Sequence, residues 1–526
     1  MAQPTEHPDF RALAGELRAR SLSWTQSAVF ARIWPTGKAI IAQQGDRTFA
    51  RLHDNTNRLA NALHAHGLRP GDALALLCRN RAEFVEVFLA AMRSGLRLTP
   101  VNTHLTPSEV HYIVQDCGAK VLVLEQELDL PGVAPDGVDK IVIDSVASGE
   151  SYDEWLFLAL DDEFESTEAG TLMLYTSGTT GRPKGVFRRT PEFIEPQFEG
   201  SYADYRPGDV ALCCGPAYHS APLLFDIRWP LASGVPVIML EKWNSLEVLS
   251  LIERYRVTHA HMVPTMFQRL LALDPTQRLS HDLSSLRFLV HGAAPCPVST
   301  KHKMIEWLGP VLTEYYAATE GGDGIHVNSQ DWLRKPGTVG RMDSSLGHCI
   351  VDDNGRDLPA GRVGHIYFRA PEVGRFEYFG DPGKTAQAYL GGRFTLGDMG
   401  YLDEDGYLFL TGRSAECIIS GGVNIYPREV DEVMLQHPAV SDVCTVGAPD
   451  DEWGERVVAV VVLAKDIAPS PELAVDLLQH AGHQLASFKR PRDVVFETEL
   501  PHSAAGKLRR NVVRDRFWRG RPTNMP

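Results

Sequence analysis

At 526 residues the chain is several times longer than a common domain of roughly 100 to 200 residues, so two or more domains are expected. Apolar residues at 44% and charged residues at 23% match soluble globular proteins and exclude a disordered or fibrous chain. A net charge of −15 repels polyanions, so neither a nucleic-acid binder nor a protein held on an anionic membrane is expected.

The first rhythm along the chain is strand then helix. A strand over 39–42 precedes a helix that carries Leu52, Leu59 and Leu63 on one face and stops at Gly67. A short strand over 73–77 follows. A helix over 80–94 is predicted next, with Asn80 as N-cap, Glu83 three residues on and Gly95 as C-cap, and then a strand over 96–101. Thr106-Pro107-Ser108-Glu109 combines a capping box with proline at the first helical position, opening a helix that ends at Gly118 before a strand over 121–124. The same alternation recurs as strands over 235–240, 259–263 and 286–290, separated by a helix over 245–255 and one from Thr265. Such alternation implies mostly parallel, doubly wound sheets covered by helices.

From about Gly364 the texture changes to short strands and turns. Beyond Arg413 a helix over 427–435, strands over 440–446 and 457–463 and a helix over 472–485 make a small α+β domain. The linker falls near 412–415, which divides the chain into a large domain over 1–412 and a small one over 413–526 whose relative motion is expected. No run approaches the ~20 apolar residues of a membrane helix, and MAQPTEHPDF lacks the basic and apolar parts of a leader, so a cytoplasmic protein is expected. Eight scattered cysteines with no Cys-x-x-Cys pair read as buried thiols, neither a disulfide framework nor a zinc site.

After the apolar run over 171–175 comes TSGTTGRPKGV, 176–186, with four hydroxyl residues, three glycines and one lysine. Glycines let consecutive backbone N–H groups converge on an anion, hydroxyls add donors and Lys184 adds a point charge, so the loop suits phosphate. It is not a Walker A loop, because Gly181 precedes Lys184 by three, Pro183 intervenes, and Val186 stands where a magnesium-binding hydroxyl would be expected. Taken alone it also reads as a polar surface turn.

The strand and loop together resemble the signature of the adenylate-forming superfamily of acyl-CoA synthetases, aryl-CoA ligases, luciferases and adenylation domains. Five further stretches resemble that family in order. They are PAYHSAP (216–222), HGAAPCP (291–297), EYYAATEGG (314–322), FTLGDMGYLDEDGYLFLTGR (394–413) with ISGGVNIYPREVDE (419–432), and PHSAAGKLRR (501–510). The resemblance spans roughly 30–515. It implies a large domain of doubly wound sheets with a distorted β-barrel-like region, and a small mobile α+β domain. It further implies ATP, Mg2+ and coenzyme A as cofactor and co-substrates, and a small carboxylic acid as substrate.

By that resemblance Thr176, Ser177, Gly178, Thr179, Thr180, Gly181 and Lys184 hold the phosphates, and Glu320, after Thr319, is the magnesium ligand with Thr176 as hydroxyl partner. A hard cation prefers such oxygen ligands. Tyr316 would stack on adenine, bordered by Gly292, Ala293 and Ala294, and Asp398 would accept the ribose hydroxyls. Lys507 would reach the acyl carboxylate and α-phosphate, and Arg413 would contact ribose or phosphate. Glu416 stands where the family's hinge usually has Asp or Lys. His219 would gate the acyl pocket from a pantetheine tunnel lined by Gly421 and Gly422, where a glycine permits close approach.

Ser220 follows His219 where amino-acid-activating relatives place an Asp, so an amino acid substrate is disfavoured. A fatty, steroid side-chain or aryl acid is expected, chain length being unreadable. Three functions stay open. They are an acid–CoA ligase, an acyl-AMP ligase loading a carrier protein, and a non-catalytic nucleotide binder of the same fold. The CoA ligase is favoured because no insertion precedes Arg413. A surplus of basic residues over 488–526 suits either CoA phosphates or a solvated helix, and a homodimer is left open.

Overall fold

The computed structural model describes residues 7–21, 24–147, 149–165, 168–176, 183–192, 194–503 and 506–519. Two sheets carry the first three quarters of the chain. One has seven strands in the order Phe376–Tyr378, Lys184–Arg188, Thr171–Thr176, Arg97–Pro100, Ala73–Leu77, Ala119–Glu125 and Asp139–Ile143. From Thr171–Thr176 onward its neighbours run parallel, and the first two strands are antiparallel additions. The other has eight, ordered Gly321–Asn328, Leu312–Ala318, Phe288–His291, His259–Met262, Ala211–Cys213, Val237–Met239, Lys38–Ala42 and Arg47–Thr48. All but its two end strands are parallel. Every residue of Ala73–Leu77 is buried, as expected for parallel strands covered on both faces.

Helix Ala82–Arg93 packs between these sheets and every one of its residues is buried. A helix apolar on most of its surface belongs in such an interior, and its polar residues are matched there. Glu86 accepts from Arg47 Nε at 2.7 Å, Asn55 Nδ2 at 2.6 Å and the Tyr152 hydroxyl at 2.8 Å. The expected N-cap is corrected, because Arg81 precedes the helix and its side chain makes no cap bond. Asn80 instead spans the gap between the sheets, donating to the carbonyls of Gly215 at 2.8 Å and Leu240 at 3.0 Å and accepting from Ala217 N at 2.8 Å. That clamp fixes the loop that presents His219. The capping box at Thr106 and Glu109 is present with Pro107 as first helical residue. The strand expected from 286 begins at Phe288, because Leu286 N closes a turn on Leu283 O.

A third sheet of six strands is antiparallel and occupies the region expected to be barrel-like. Its centre is Gly364–Arg369, Arg393–Leu402 and Tyr407–Arg413. Beyond Arg413 the strands pair only with one another, in a sheet of Val423–Ile425, Ile418–Ser420, Gly454–Leu463, Val440–Asp450 and Asp493–Glu497. Alternation decides its two faces. Val457, Ala459 and Val461 meet Leu477 and Ala481 of helix Pro471–Gln484, while Val458 and Val460 meet Val513 of helix Arg510–Phe517.

Arg510 holds this small lobe to its own entry segment. Its guanidinium donates to Asp431 at 2.7 Å, to the Thr445 carbonyl, and to Glu416 at 3.3 Å. Burial opposes its charge, but the Asp431, Cys444 and Glu416 groups outweigh that and raise its pKa. Removing one member of a buried pair strands the other charge, at a cost of about 3 to 5 kcal/mol. Arg510→Met is therefore expected to lower the unfolding midpoint of the small lobe while the large domain's transition stays put. Coincident shifts of both transitions in calorimetry would contradict this.

Candidate active site

A cavity of about 670 Å³ opens between the two parallel sheets and the loop that carries Lys507. Next to Tyr316 of its wall, Asp398 and Arg413 stand opposite each other on adjacent antiparallel strands. Arg413 Nε donates to Asp398 Oδ1 at 3.1 Å and the Tyr316 hydroxyl donates to Oδ2 at 2.8 Å. Each carboxylate oxygen therefore keeps a lone pair for a further donor such as a ribose hydroxyl. Burial opposes the Arg413 charge, and Asp398, Glu416 and Glu320 together hold its pKa above the ordinary value. The Tyr316 ring borders the cavity and packs against Phe368, 5.9 Å between centroids.

Glu320 lies where strand Leu312–Ala318 turns into Gly321–Asn328. Its Oε1 accepts from the Tyr378 hydroxyl at 3.0 Å, and Arg188 Nη2 donates to the carbonyls of Glu320 at 2.8 Å and Thr319 at 3.3 Å. Neither Tyr378 nor Arg188 stood out in the sequence. Their strands pair with each other although far apart in the sequence, so no local spacing marks them. Thr176 lines the cavity and faces Lys184 across an antiparallel pair. The segment expected to hold phosphate is followed by a strand instead of a helix, so no helix dipole points at it from Lys184 onward. Ser177, Gly178, Thr179, Thr180 and Gly181 lie outside the described residues.

Gly292, Ala293 and Ala294 follow the buried strand end at His291. A Cβ on Gly292 would sit 2.6 Å from the Tyr315 ring, so only glycine fits. Ala293 lines the cavity in the left-handed region at φ 64°, a strained conformation for a residue with a Cβ and one that clusters at functional sites.

Lys507 reaches the same cavity from the small lobe, together with Ser503. The residue as a whole is exposed, and desolvation acts on its ammonium. Burial and then Arg413 lower its pKa, while Glu320 and Asp398 partly restore it. His219 borders the cavity with its Nε2 buried and without a partner among the described residues. Burial, then the charges of Lys507 and His104, push its pKa down to about 4, so it is a neutral ring near pH 7. Lys507 is therefore within electrostatic reach of Arg413, Glu320 and Asp398 as well as of His219.

Gly421 and Gly422 are not brought into this constellation. They form the exposed turn between Ile418–Ser420 and Val423–Ile425, at φ 58° and 78°. A Cβ on Gly421 would meet the Trp453 ring at 2.5 Å, so packing inside the small lobe already requires glycine there. The basic residues of the C-terminal segment are partly consumed by Lys489–Glu429 and Arg516–Glu497 pairs. Among the described residues no cluster of three or more His, Cys, Asp or Glu could hold a metal, and no helix is long and apolar enough to cross a membrane. All eight cysteines are free thiols.

Asp398→Ala removes the acceptor and leaves Arg413 and Tyr316 unpaired. Loss of charge-assisted bonds of about 1.5 to 3 kcal/mol predicts ATP binding weakened by roughly ten- to hundredfold. Calorimetric titration with ATP checks this, and an unchanged affinity removes Asp398 from the nucleotide site.

The family described as AMP-binding enzyme matches residues 28–376, and the AMP-binding enzyme C-terminal domain matches 429–507. A fatty acid–[acyl-carrier-protein] ligase of Streptomyces coeruleorubidus is 34% identical over 92% of this chain and 94% of its own length. A long-chain-fatty-acid–CoA ligase of Mycobacterium tuberculosis is 31% identical over 89% of this chain and 93% of its own. The crystal structure of an anthranilate CoA ligase in complex with anthranoyl-AMP superposes with a TM-score of 0.85, at 26% identity, over 96% of this chain and 98% of that one.

Proposed function

This chain belongs to the AMP-binding enzyme family, and we propose that it activates a carboxylic acid in two steps, first with ATP and then with the thiol of coenzyme A. In the first, a carboxylate oxygen attacks the α-phosphorus, the bond to the β-phosphate oxygen breaks, and pyrophosphate leaves from an acyl-adenylate. In the second, the thiol sulfur attacks the acyl carbon, its proton is lost to solvent, and AMP departs with the pair of electrons from the acyl C–O bond. The observation that carries this reading is that Lys507, in the wall of a largely apolar cavity, lies within electrostatic reach of Arg413, Glu320 and Asp398.

Two anions meet in the first step, and each residue answers a part of that charge. Lys507 offsets the carboxylate and α-phosphate, Asp398 with Arg413 orients the ribose, and Lys184 and the loop N–H groups hold the phosphates. Glu320 with Thr176 would hold Mg2+, which neutralises phosphate charge when bound. One carboxylate suits an ion that usually takes one or two carboxylates plus substrate phosphates and water. His219, a neutral ring, separates acid from thiol. Gly421 and Gly422 join the site only if the small lobe turns about the segment from Arg413 to Glu416, which we take as the boundary between lobes. The reading places the enzyme in the cytoplasm, with its ATP and CoA.

Acid- and Mg2+-dependent release of pyrophosphate, with AMP as the nucleotide product, tests the first step. ADP as product would overturn it. The similarity to a carrier-protein ligase keeps a second acceptor in play. Comparing thioester yield on CoA with that on a phosphopantetheinylated carrier protein separates the two. The candidate acids remain fatty, aryl and steroid side-chain acids.

A further inference from the structure

The acyl arm of the cavity is walled by aromatic and aliphatic groups, among them Trp24, Met92, Tyr202, Phe225 and Trp229. Three charged residues, Arg188, Glu192 and Arg228, interrupt that wall. Arg228 is 6% exposed, lines the cavity, and stands 5.2 Å from the Trp24 ring. Its Nη1 donates to Glu192 at 2.9 Å, but Nε and Nη2 are buried and have no hydrogen-bond partner among the described residues. The Tyr202 hydroxyl, in the same wall, is also buried and without such a partner.

The surroundings leave that guanidinium short of negative charge. Glu192 is shared, since its other oxygen accepts from Arg188 at 3.4 Å, so two arginines divide one carboxylate. Arg188 is in turn tied to the carbonyls of Thr319 and Glu320, so this chain of contacts leads away from the reacting end into the acyl arm. Arg228 also ends a π-helical stretch, Leu223–Arg228, a rare form that appears chiefly at functional sites and that aims Leu224, Phe225 and Arg228 at the cavity. A buried guanidinium with two donor nitrogens left free is costly in an apolar pocket unless something accepts from them. A pocket serving plain hydrocarbon chains would lose affinity by keeping it.

We propose that Arg228, with Tyr202, determines specificity, and that the preferred acid carries a second oxygen acceptor, best a second carboxylate, remote from the carboxylate that is adenylated. This rests on the carboxylic-acid reading above and narrows it. A planar guanidinium offers two parallel donors to a carboxylate, and the shared Glu192 leaves a local excess of one positive charge for it to neutralise. A pocket built to donate hydrogen bonds rejects an analogue that lacks the acceptor far more strongly than an apolar pocket rejects a missing methylene.

The test compares straight-chain acids of six to twelve carbons with their ω-carboxy and (ω−1)-oxo counterparts. The readouts are pyrophosphate release and calorimetric binding in the presence of AMP. The wild type is expected to favour the ω-carboxy acid over the plain acid at the best length by at least tenfold in kcat/KM and in affinity, with the oxo acid between them. Arg228→Met should abolish or reverse that ratio, and Tyr202→Phe should reduce it. If Arg228→Met is poorly folded, the double variant Glu192→Gln/Arg228→Met removes both charges together and should give the same loss of preference. Equal or better use of the plain acid by the wild type, or a ratio unmoved in these variants, overturns the assignment. Absence of turnover with every acid would instead strike the ligase reading, and the binding ratio would still decide the role of Arg228.

Discussion

Lys507→Ala is expected to abolish formation of acyl-adenylate and to spare thioester formation from acyl-adenylate supplied ready-made. Lys507 lies within electrostatic reach of Arg413, Glu320 and Asp398, and its charge is felt by His219. That position lets one ammonium offset both the attacking carboxylate and the α-phosphate, a contribution of about 3 kcal/mol or more, or roughly a hundredfold in rate. In the second step the departing AMP gains negative charge on its phosphate, but a lobe that turns would already have carried the lysine away. Comparing overall turnover with CoA consumption from synthetic acyl-AMP separates the steps. Equal losses in both would mean that the lobe stays put or that the lysine is structural. The lowered pKa adds a direction. The group is charged below it, so the first step should fall as pH rises through a value lower than that of an ordinary lysine, and Lys507→Arg should remove that alkaline limb.

Much of this arrangement was legible before any coordinates. Strand 73–77, helix 245–255 and the Thr106–Glu109 capping box coincide with their predicted positions, because local periodicity and caps decide them. Asn80 departs from its sequence pattern for a physical reason. An Asn before an apolar helical run has the local pattern of an N-cap, but the carbonyls of Gly215 and Leu240 compete for its amide, and they lie more than 130 residues away. The same limit applies to Tyr378, Arg188 and Arg228. Each owes its place to a strand pairing or a π-helical turn that leaves no spacing signature. The site residues found in the sequence all sit in contiguous motifs. Those missed act across the sheets.

Gly506→Val should stop adenylation as completely as loss of Lys507 itself, although residue 506 contacts no reacting group. Gly506 sits at φ 71°, and a Cβ there would lie 2.2 Å from Thr265 Oγ1 and 3.2 Å from the Val263 side chain, both in the large domain. Val263 borders the cavity, and both neighbours stand at the start of helix Pro264–Leu271. A separation so far inside van der Waals contact cannot be met by a small shift, and a β-branched residue in the left-handed region adds strain of order 1 to 3 kcal/mol. The loop would then dock further out and take Lys507 with it, and a displacement of about 1 Å in a catalytic group can cost a hundredfold. Because the obstruction exists only where this loop meets Thr265, thioester formation from supplied acyl-adenylate should continue. Thr265→Gly in the Gly506→Ala background relieves the closest contact and should recover part of the first step. If Gly506→Val instead slows both steps alike, or if Thr265→Gly gives no recovery, the defect lies in folding of the loop and not in its docking.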